Sequence, residues 1–423
     1  MTAPLRNWAG NVTFAAAQAH RPASVDELRR IVAGSERVRA LGSGHSFNRI
    51  ADTTGDLVSL DGLPRLLRID RAHSTVTVAA GMTYAEVAAG LQEAGFALAN
   101  LGSLPHISVA GSCATGTHGS GDTQRCLAAS VAALELVGPE GDLTEVRRQD
   151  GRDDFAGSVV ALGALGIVTQ VTLDIEPSFE VAQHVRTGVP LDDVAGGPAE
   201  LDEVFGAAYS VSAFTDWRSG EAAVWLKSRA DRPAATWAGG RPAQHQVNPV
   251  PGMEPEFATR QLGIAGPWHE RLPHFRADLP PSAGDELQSE LFVPRAAAPA
   301  AVAAVRDLGE LIAPVLYISE LRTVRGDDLW LSAAYGRDSV TFHFTWIQDA
   351  AAVTPVLAAI EERLAPLGAR PHWAKLTTIP AASIMAHYDH GPDFARLIDT
   401  RDPAGKFRND FIDGLFPRGA APG

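Results

Sequence analysis

Arg39-Ala40-Leu41-Gly42-Ser43-Gly44-His45-Ser46 and, further along, Ser108-Val109-Ala110-Gly111-Ser112-Cys113-Ala114-Thr115-Gly116-Thr117-His118-Gly119-Ser120-Gly121 decide how this chain is read. The first is a short strand emptying into a turn of small residues. Glycine lets the main chain come close to a ligand, and successive free N–H groups form a nest for an anion, typically phosphate. A plain strand-to-helix turn would use the same residues, so this stretch alone decides little. The second stretch is too long and too small-sided for a simple turn. Together the two can embrace a diphosphate. Neither carries the Gly-Lys-Ser/Thr of a P-loop or the Gly-x-Gly-x-x-Gly of nicotinamide-binding folds. The pair points to a nucleotide cofactor held outside both of those folds.

Working outward, Ser24-Val25-Asp26-Glu27 and Thr83-Tyr84-Ala85-Glu86 are capping boxes that open helices, the second closed by Gly95. Strands are expected at Arg37–Leu41 and Leu57–Leu60 and as a hairpin over Leu66–Ala79. A further hairpin joins Val131–Val137 to Leu143–Arg147. A small helix over Ser158–Leu165 and a strand over Ile167–Ile175 complete a unit of α+β character, without the regular spacing of a doubly wound fold. Pro-rich loops between Arg232 and Pro294 then accompany longer β-like runs: Val211–Phe214, Ala223–Lys227, Leu287–Val293, Val315–Val324 and Val340–Ile347. These predict a second domain on an antiparallel sheet. Beyond Ile379 the pattern turns helical and loop-like again.

The chain has 423 residues, too many for one hydrophobic core, which also argues for two domains. A net charge of -14 argues against nucleic acid and anionic membrane surfaces as partners. No stretch approaches the length of a membrane span, and Met1 to Phe14 lack the apolar run of a secretory signal. Cys113 and Cys126 are the only cysteines, so a disulfide framework is excluded and a cytoplasmic protein with reduced thiols is expected. Nothing resembles an obvious subunit interface, and a monomer is expected.

Several polar residues stand where strand geometry makes them interesting. In Val340–Ile347, Thr341, His343 and Thr345 share one face, while Phe342, Phe344 and Trp346 share the other. Glu320 and Arg322 also point the same way. In solvent such a pair is an ordinary ion pair; under a cofactor, a carboxylate and a guanidinium suit a chain of vicinal hydroxyls. Lys375 lies in the apolar His372-Trp373-Ala374-Lys375-Leu376, in a chain whose only other lysines are Lys227 and Lys406. A snorkelling side chain accounts for it equally well. His387 and His390 read as a surface turn without a third ligand, so no metal is expected.

Taken in order, these motifs resemble the vanillyl-alcohol-oxidase-type flavoproteins over nearly the whole chain, in the branch of aldonolactone and alditol oxidases. The likeness is closest to the alditol oxidases. Asn7-Trp8-Ala9-Gly10-Asn11, both glycine-rich stretches and Ser103-Leu104-Pro105-His106 carry it. So do Glu320-Leu321-Arg322, His343-Phe344-Thr345-Trp346, Pro371-His372-Trp373 and Asp402-Pro403-Ala404-Gly405-Lys406-Phe407. Ala374 departs from the pattern, which usually has Gly before the active-site lysine. The resemblance implies a two-domain α+β fold: an FAD-binding domain over residues 1–178, completed by 373–423, and a substrate domain with an antiparallel sheet over 179–372. It implies FAD bonded covalently to His45 and held by Leu41, Gly42, Ser43, Gly44, Ser46, Ser103, Ser108, Gly111, Ser112, Ala114, Thr115, Gly116, Thr117, His118, Gly166, Ile167 and His372. It further implies hydroxyl binding by Ser103, Glu320, Arg322 and Thr345, and proton handling by His343 and Lys375. Oxidation of the terminal primary alcohol of a small polyol such as xylitol or sorbitol follows, with O2 reduced to H2O2 and a small residue at Gly102 giving oxygen access. An aldonolactone oxidase or dehydrogenase, an enzyme using a dye, quinone or cytochrome acceptor, and a non-catalytic nucleotide- or polyol-binding protein remain the alternatives.

Overall fold

The computed structural model describes residues 5–151, 154–233, 237–279 and 284–418. The ends of the expected FAD-binding domain, 1–4 and 419–423, lie outside them. Helix α1 (Val25–Gly34) starts where the sequence places it. Ser24 Oγ accepts from Glu27 N–H at 3.2 Å, while the Glu27 carboxylate reaches Ala23 N–H, one residue before the box position. Helix α2 (Tyr84–Glu93) carries the full reciprocal box of Thr83 and Glu86, and Gly95 turns the chain away at φ 81°. Strands β1 (Gln18–His20), β2 (Val38–Leu41) and β3 (Asp56–Ser59) form a parallel sheet ordered β1-β3-β2. Strands β4 (Leu67–Asp70), β5 (Thr75–Ala79), β6 (Val131–Val137), β7 (Leu143–Arg147) and β8 (Ile167–Asp174) form an antiparallel sheet ordered β4-β5-β8-β6-β7.

Three details differ from expectation. Part of the second glycine-rich stretch is a helix, α3 (Val109–Ala114), because Val109 and Cys113 recur at helical spacing and sink into the core. The helix expected over Ser158–Leu165 lies earlier, as α4 (Phe155–Val159). Leu162, Gly163 and Gly166 then adopt positive φ, which no helix continues, and the freed Leu162 and Gly163 carbonyls accept from the buried Arg39 guanidinium. His390 is no plain surface-turn residue: it is half-buried, bonds Asp393 and the Tyr335 hydroxyl, and stacks on Trp330.

Among the described residues, the middle of the chain builds a nine-stranded antiparallel sheet. Its main strands are β9 (Glu180–Pro190), β10 (Ser210–Thr215), β11 (Glu221–Arg229), β12 (Glu286–Pro294), β13 (Leu316–Val324), β14 (Ser339–Ile347) and the short β15 (Arg370–Pro371), in the order β9-β11-β10-β13-β14-β12-β15. The period of two in β14 has a direct consequence. Phe342, Phe344 and Trp346 pack with Leu287, Leu291 and Leu321 under helix α5 (Ala350–Leu364), whose Val353, Val356 and Ile360 face them. Thr341, His343 and Thr345 are buried as well, so the polar face of this sheet is covered and not wetted. No helix among the described residues is long and apolar enough to cross a membrane.

Candidate active site

The covered polar face meets the glycine-rich loops across a cavity enclosing about 1990 Å³ of unfilled space, part of it open to solvent. Its lining runs unbroken from both glycine-rich loops to the sheet, which suits an extended ligand. Leu41, Gly42, Ser43, Gly44, His45, Ser46, Ser103, Ser108, Gly111, Ser112, Ala114, Thr115, Thr117, His118, Gly166 and His372 all line it. Gly116 and Ile167 do not: Gly116 makes a left-handed turn at φ 67°, and the Ile167 side chain packs with Leu28, Val38 and Val58.

The two loops are stitched together. Ser43 N–H donates to Ser108 Oγ at 3.3 Å and Ser108 N–H to Ser43 Oγ at 3.4 Å. A Cβ on Gly42 would collide with Ser108 Oγ, so the missing side chain is what permits the approach. The N-terminal segment joins them: Trp8 N–H donates to the Gly44 carbonyl at 2.8 Å, and the Trp8 ring lies 4.1 Å from that of His45. The same loop holds the Lys375 turn. Phe47 N–H donates to the Ala374 carbonyl at 2.7 Å, and Asn48 Nδ2 to the Trp373 and Lys375 carbonyls at 2.8 and 3.0 Å. Ala374 does not sit at positive φ, so its methyl group introduces no backbone strain. Burial, then the charge of Lys375, then His106 bring the His45 imidazole down to about 3. At neutral pH it is therefore uncharged, with a lone pair available for a bond to carbon. The cleft, the glycine cradle and this neutral histidine together fit FAD.

On the sheet side, register brings the polar residues into rows. Glu320 on β13 stands opposite His343 on β14, which stands opposite Glu290 on β12; Ile318, Thr345 and Gln288 form the next row. His343 Nδ1 lies 2.8 Å from Lys375 Nζ, and its Nε2 lies 3.2 Å from Thr345 Oγ1. Lys375 does not snorkel into solvent; its head donates to Glu290 Oε2 at 2.8 Å. Burial holds both members of the pair below their ordinary values: His343 far below, with Lys375 adding to it, and Lys375 also lowered, with Arg322 adding and Glu290 opposing. Arg322 Nη1 donates to Ser103 Oγ at 3.4 Å and Nη2 to Glu290 Oε1 at 2.5 Å. Burial opposes the ionised form of Glu320, but Arg322 and then His274 hold it well below the usual carboxylate range.

Glu290 and His274 escaped the sequence reading. A charge inside the β-like run Leu287–Val293 was a usable signal for Glu290. His274 carried none, because it sits in the irregular Pro-rich stretch. There its Nε2 lies 2.9 Å from Glu320 Oε1, and its N–H donates to the Ser103 carbonyl at 3.1 Å.

Comparison with known proteins gives the following. Residues 16–147 match the family model described as an FAD binding domain, and residues 286–415 match D-arabinono-1,4-lactone oxidase. The chain is 48 % identical to the alditol oxidase of a Streptomyces species, covering 98 % of this chain and 99 % of that one. It is 28 % identical to the L-gulono-1,4-lactone dehydrogenase of Mycobacterium tuberculosis, covering 96 % and 97 %. Among solved structures, cholesterol oxidase from B. sterolicum superposes with a TM-score of 0.77 at 14 % identity, covering 98 % of this chain and 96 % of that chain, which establishes a common fold.

Proposed function

This chain belongs to the alditol oxidase family of FAD enzymes, and from that premise we propose that His343 and Lys375 remove the proton from a polyol hydroxyl held by Ser103, Glu320, Arg322 and Thr345. The enzyme is an FAD-dependent oxidase of polyols. The observation that carries the residue assignment is a juxtaposition: one cavity places a bonded Lys375–His343 pair and a Glu320–Arg322 pair opposite the neutral His45.

The sheet binds and orients the substrate. Arg322 donates to hydroxyl oxygens, Glu320 accepts hydroxyl hydrogens, and Thr345 and Ser103 do either. Orientation counts directly toward the barrier, because a held hydroxymethyl group reacts as though intramolecular. The hydroxyl proton enters the His343–Lys375 pair and comes to rest on Lys375 Nζ. Its ammonium form has the Glu290 carboxylate at 2.8 Å, whereas an imidazolium on His343 would have it only at 3.9 Å. Bound FAD supplies the two-electron acceptor for the carbon-bound hydrogen and the route of those electrons to O2, giving H2O2 and the aldose. The loops and residues assigned to it are those lining the cavity from Leu41 to Ser46 and from Ser108 to His118, with His45 as the covalent link. We place the enzyme in the cytoplasm as a monomer, in keeping with free, buried Cys113 and Cys126.

Acid precipitation followed by an absorbance scan tests the cofactor assignment. A yellow pellet is expected, and His45→Ala should move the colour to the supernatant. Colour that stays in the pellet of that variant would place the link elsewhere. Peroxide release under air should follow xylitol and not gulonolactone. The reverse preference would make this a lactone oxidase.

A further inference from the structure

Glu290 takes no part in the substrate contacts above, yet it is only 1 % exposed in the middle of a cavity wall. Its side chain meets four others. Oε1 accepts from Arg322 Nη2 at 2.5 Å and stands 3.2 Å from His118 Nε2. Oε2 accepts from Lys375 Nζ at 2.8 Å and lies 3.9 Å from His343 Nδ1. The Glu290 carbonyl also accepts from His372 N–H at 2.9 Å, so its backbone hangs the turn that carries Lys375. Removing a carboxylate from water is costly, and a buried ion pair is poor value as a source of stability alone. A strand needing only packing would have an apolar residue here, as Leu291 and Phe292 do beside it.

We propose that Glu290 is a positioning residue for the oxidation, one oxygen holding the Arg322 guanidinium on the hydroxyl-binding side and the other holding the Lys375 head on the proton-handling side. This rests on the polyol-oxidase reading of the site. Through these bonds one carboxylate ties substrate binding to proton transfer. Its charge also favours the ammonium form of Lys375, against burial and against Arg322. The other charged or titratable groups facing the pair are Glu320 from β13, His343 from β14, His118 after α3, His372 on the Lys375 turn and His45 on the first loop.

Glu290→Gln keeps the shape and removes the charge. Lys375 then loses its proton more easily, so the acid limb of kcat/KM on xylitol should move to lower pH by about one unit or more. With its charge-assisted bond to Arg322 reduced to a neutral one, KM should rise and kcat/KM at the optimum fall about tenfold or more. Glu290→Asp retains the charge but withdraws it, so the limb should stay while KM rises. A purely structural role predicts fewer folded, flavin-loaded molecules whose KM and pH limb equal those of the wild type, and that result overturns the proposal. If Glu290→Gln does not fold, Glu290→Asp decides alone: a raised KM with the limb in place supports the proposal, and a wild-type KM overturns it. Wild-type turnover of polyols is measured first. Its absence would sink the reading of the site, whereas its presence with an unmoved Glu290→Gln limb would sink only the role of Glu290.

Discussion

Every lysine of this chain is pinned in the interior. Lys227 donates to the Leu272 and Pro273 carbonyls at 2.5 and 3.2 Å, and burial brings it to about 7. Lys406 donates to the Val32, Ala33 and Pro139 carbonyls at 2.8, 3.2 and 2.7 Å, closing the end of α1. Lys227 also reaches a histidine, His274 Nδ1 at 3.3 Å, but of the three only Lys375 lines the cavity, with His343 Nδ1 at 2.8 Å. Rarity in an Arg-rich sequence thus marked out all three, but chemistry belongs to the one that lines the cavity. Arg322 is the residue whose loss is easiest to forecast. Arg322→Ala leaves Glu290 and Glu320 buried without a guanidinium, and stripping one partner from a buried pair costs about 3–5 kcal/mol. The kcat/KM on xylitol should drop at least about a hundredfold, shared between a higher KM and a lower kcat. Steady-state kinetics at wild-type level would remove Arg322 from the site.

At the scale of elements, the cofactor cradle depends on two backbones coming together where β2 ends and α3 begins. Gly42→Ala drives a methyl group into Ser108 Oγ, which must swing away and give up the bond it accepts from Ser43 N–H, so that stitch between the loops is lost. The ratio of flavin to protein absorbance in the purified variant should fall well below that of the wild type. Gly102→Ala is the matched control, since its Cβ would find nothing closer than Thr117 Cγ2 at 3.7 Å, and flavin content should be retained. Equal flavin content in both variants would show that close approach is dispensable. The strands were legible because their period of two survives in the sequence: β14 and β13 carry Thr-His-Thr and Glu-Arg on single faces. Helix α3 was not, because glycine and serine have poor helix propensity, and only burial of Val109 and Cys113 outweighs it.

At the scale of the molecule, the cavity exists only while the sheet stays docked on the loops. Arg295 bridges Asp122, after the second loop, to Asp202, in the helix Pro198–Phe205, at 2.8 Å each. His274 joins the halves from inside, bonding the Ser103 backbone and the Glu320 carboxylate. Burial, then the adjacent Lys227, bring His274 from 6.5 down to about 4. The unfolded chain therefore binds a proton that the folded one refuses throughout that window. Stability from this group is full above pH 6.5 and is lost as pH falls toward about 4. Glu320, held low in the folded state, acts in the same direction. The thermal midpoint should fall on acidification from pH 7 to 5, and His274→Gln should flatten that slope. An unchanged slope would mean that His274 takes up its proton without breaking the junction.

Local pattern carried the strands, the capped helices, the glycine-rich loops and the order of motifs that identified the flavin fold, because each depends on neighbours a few residues away. It also carried Glu320, Arg322, His343 and Thr345, since alternation within one strand says which side chains share a face. It did not say that the polar face would be covered. Nor did it place the Lys375 head on His343, put Glu290 beneath both Lys375 and Arg322, or bring His274 from an irregular loop onto Glu320. Those contacts join residues from separate strands, loops and turns. Their energies come from burial and charge in a cavity that forms only when the sheet closes on the loops, and no spacing along the chain encodes that distance.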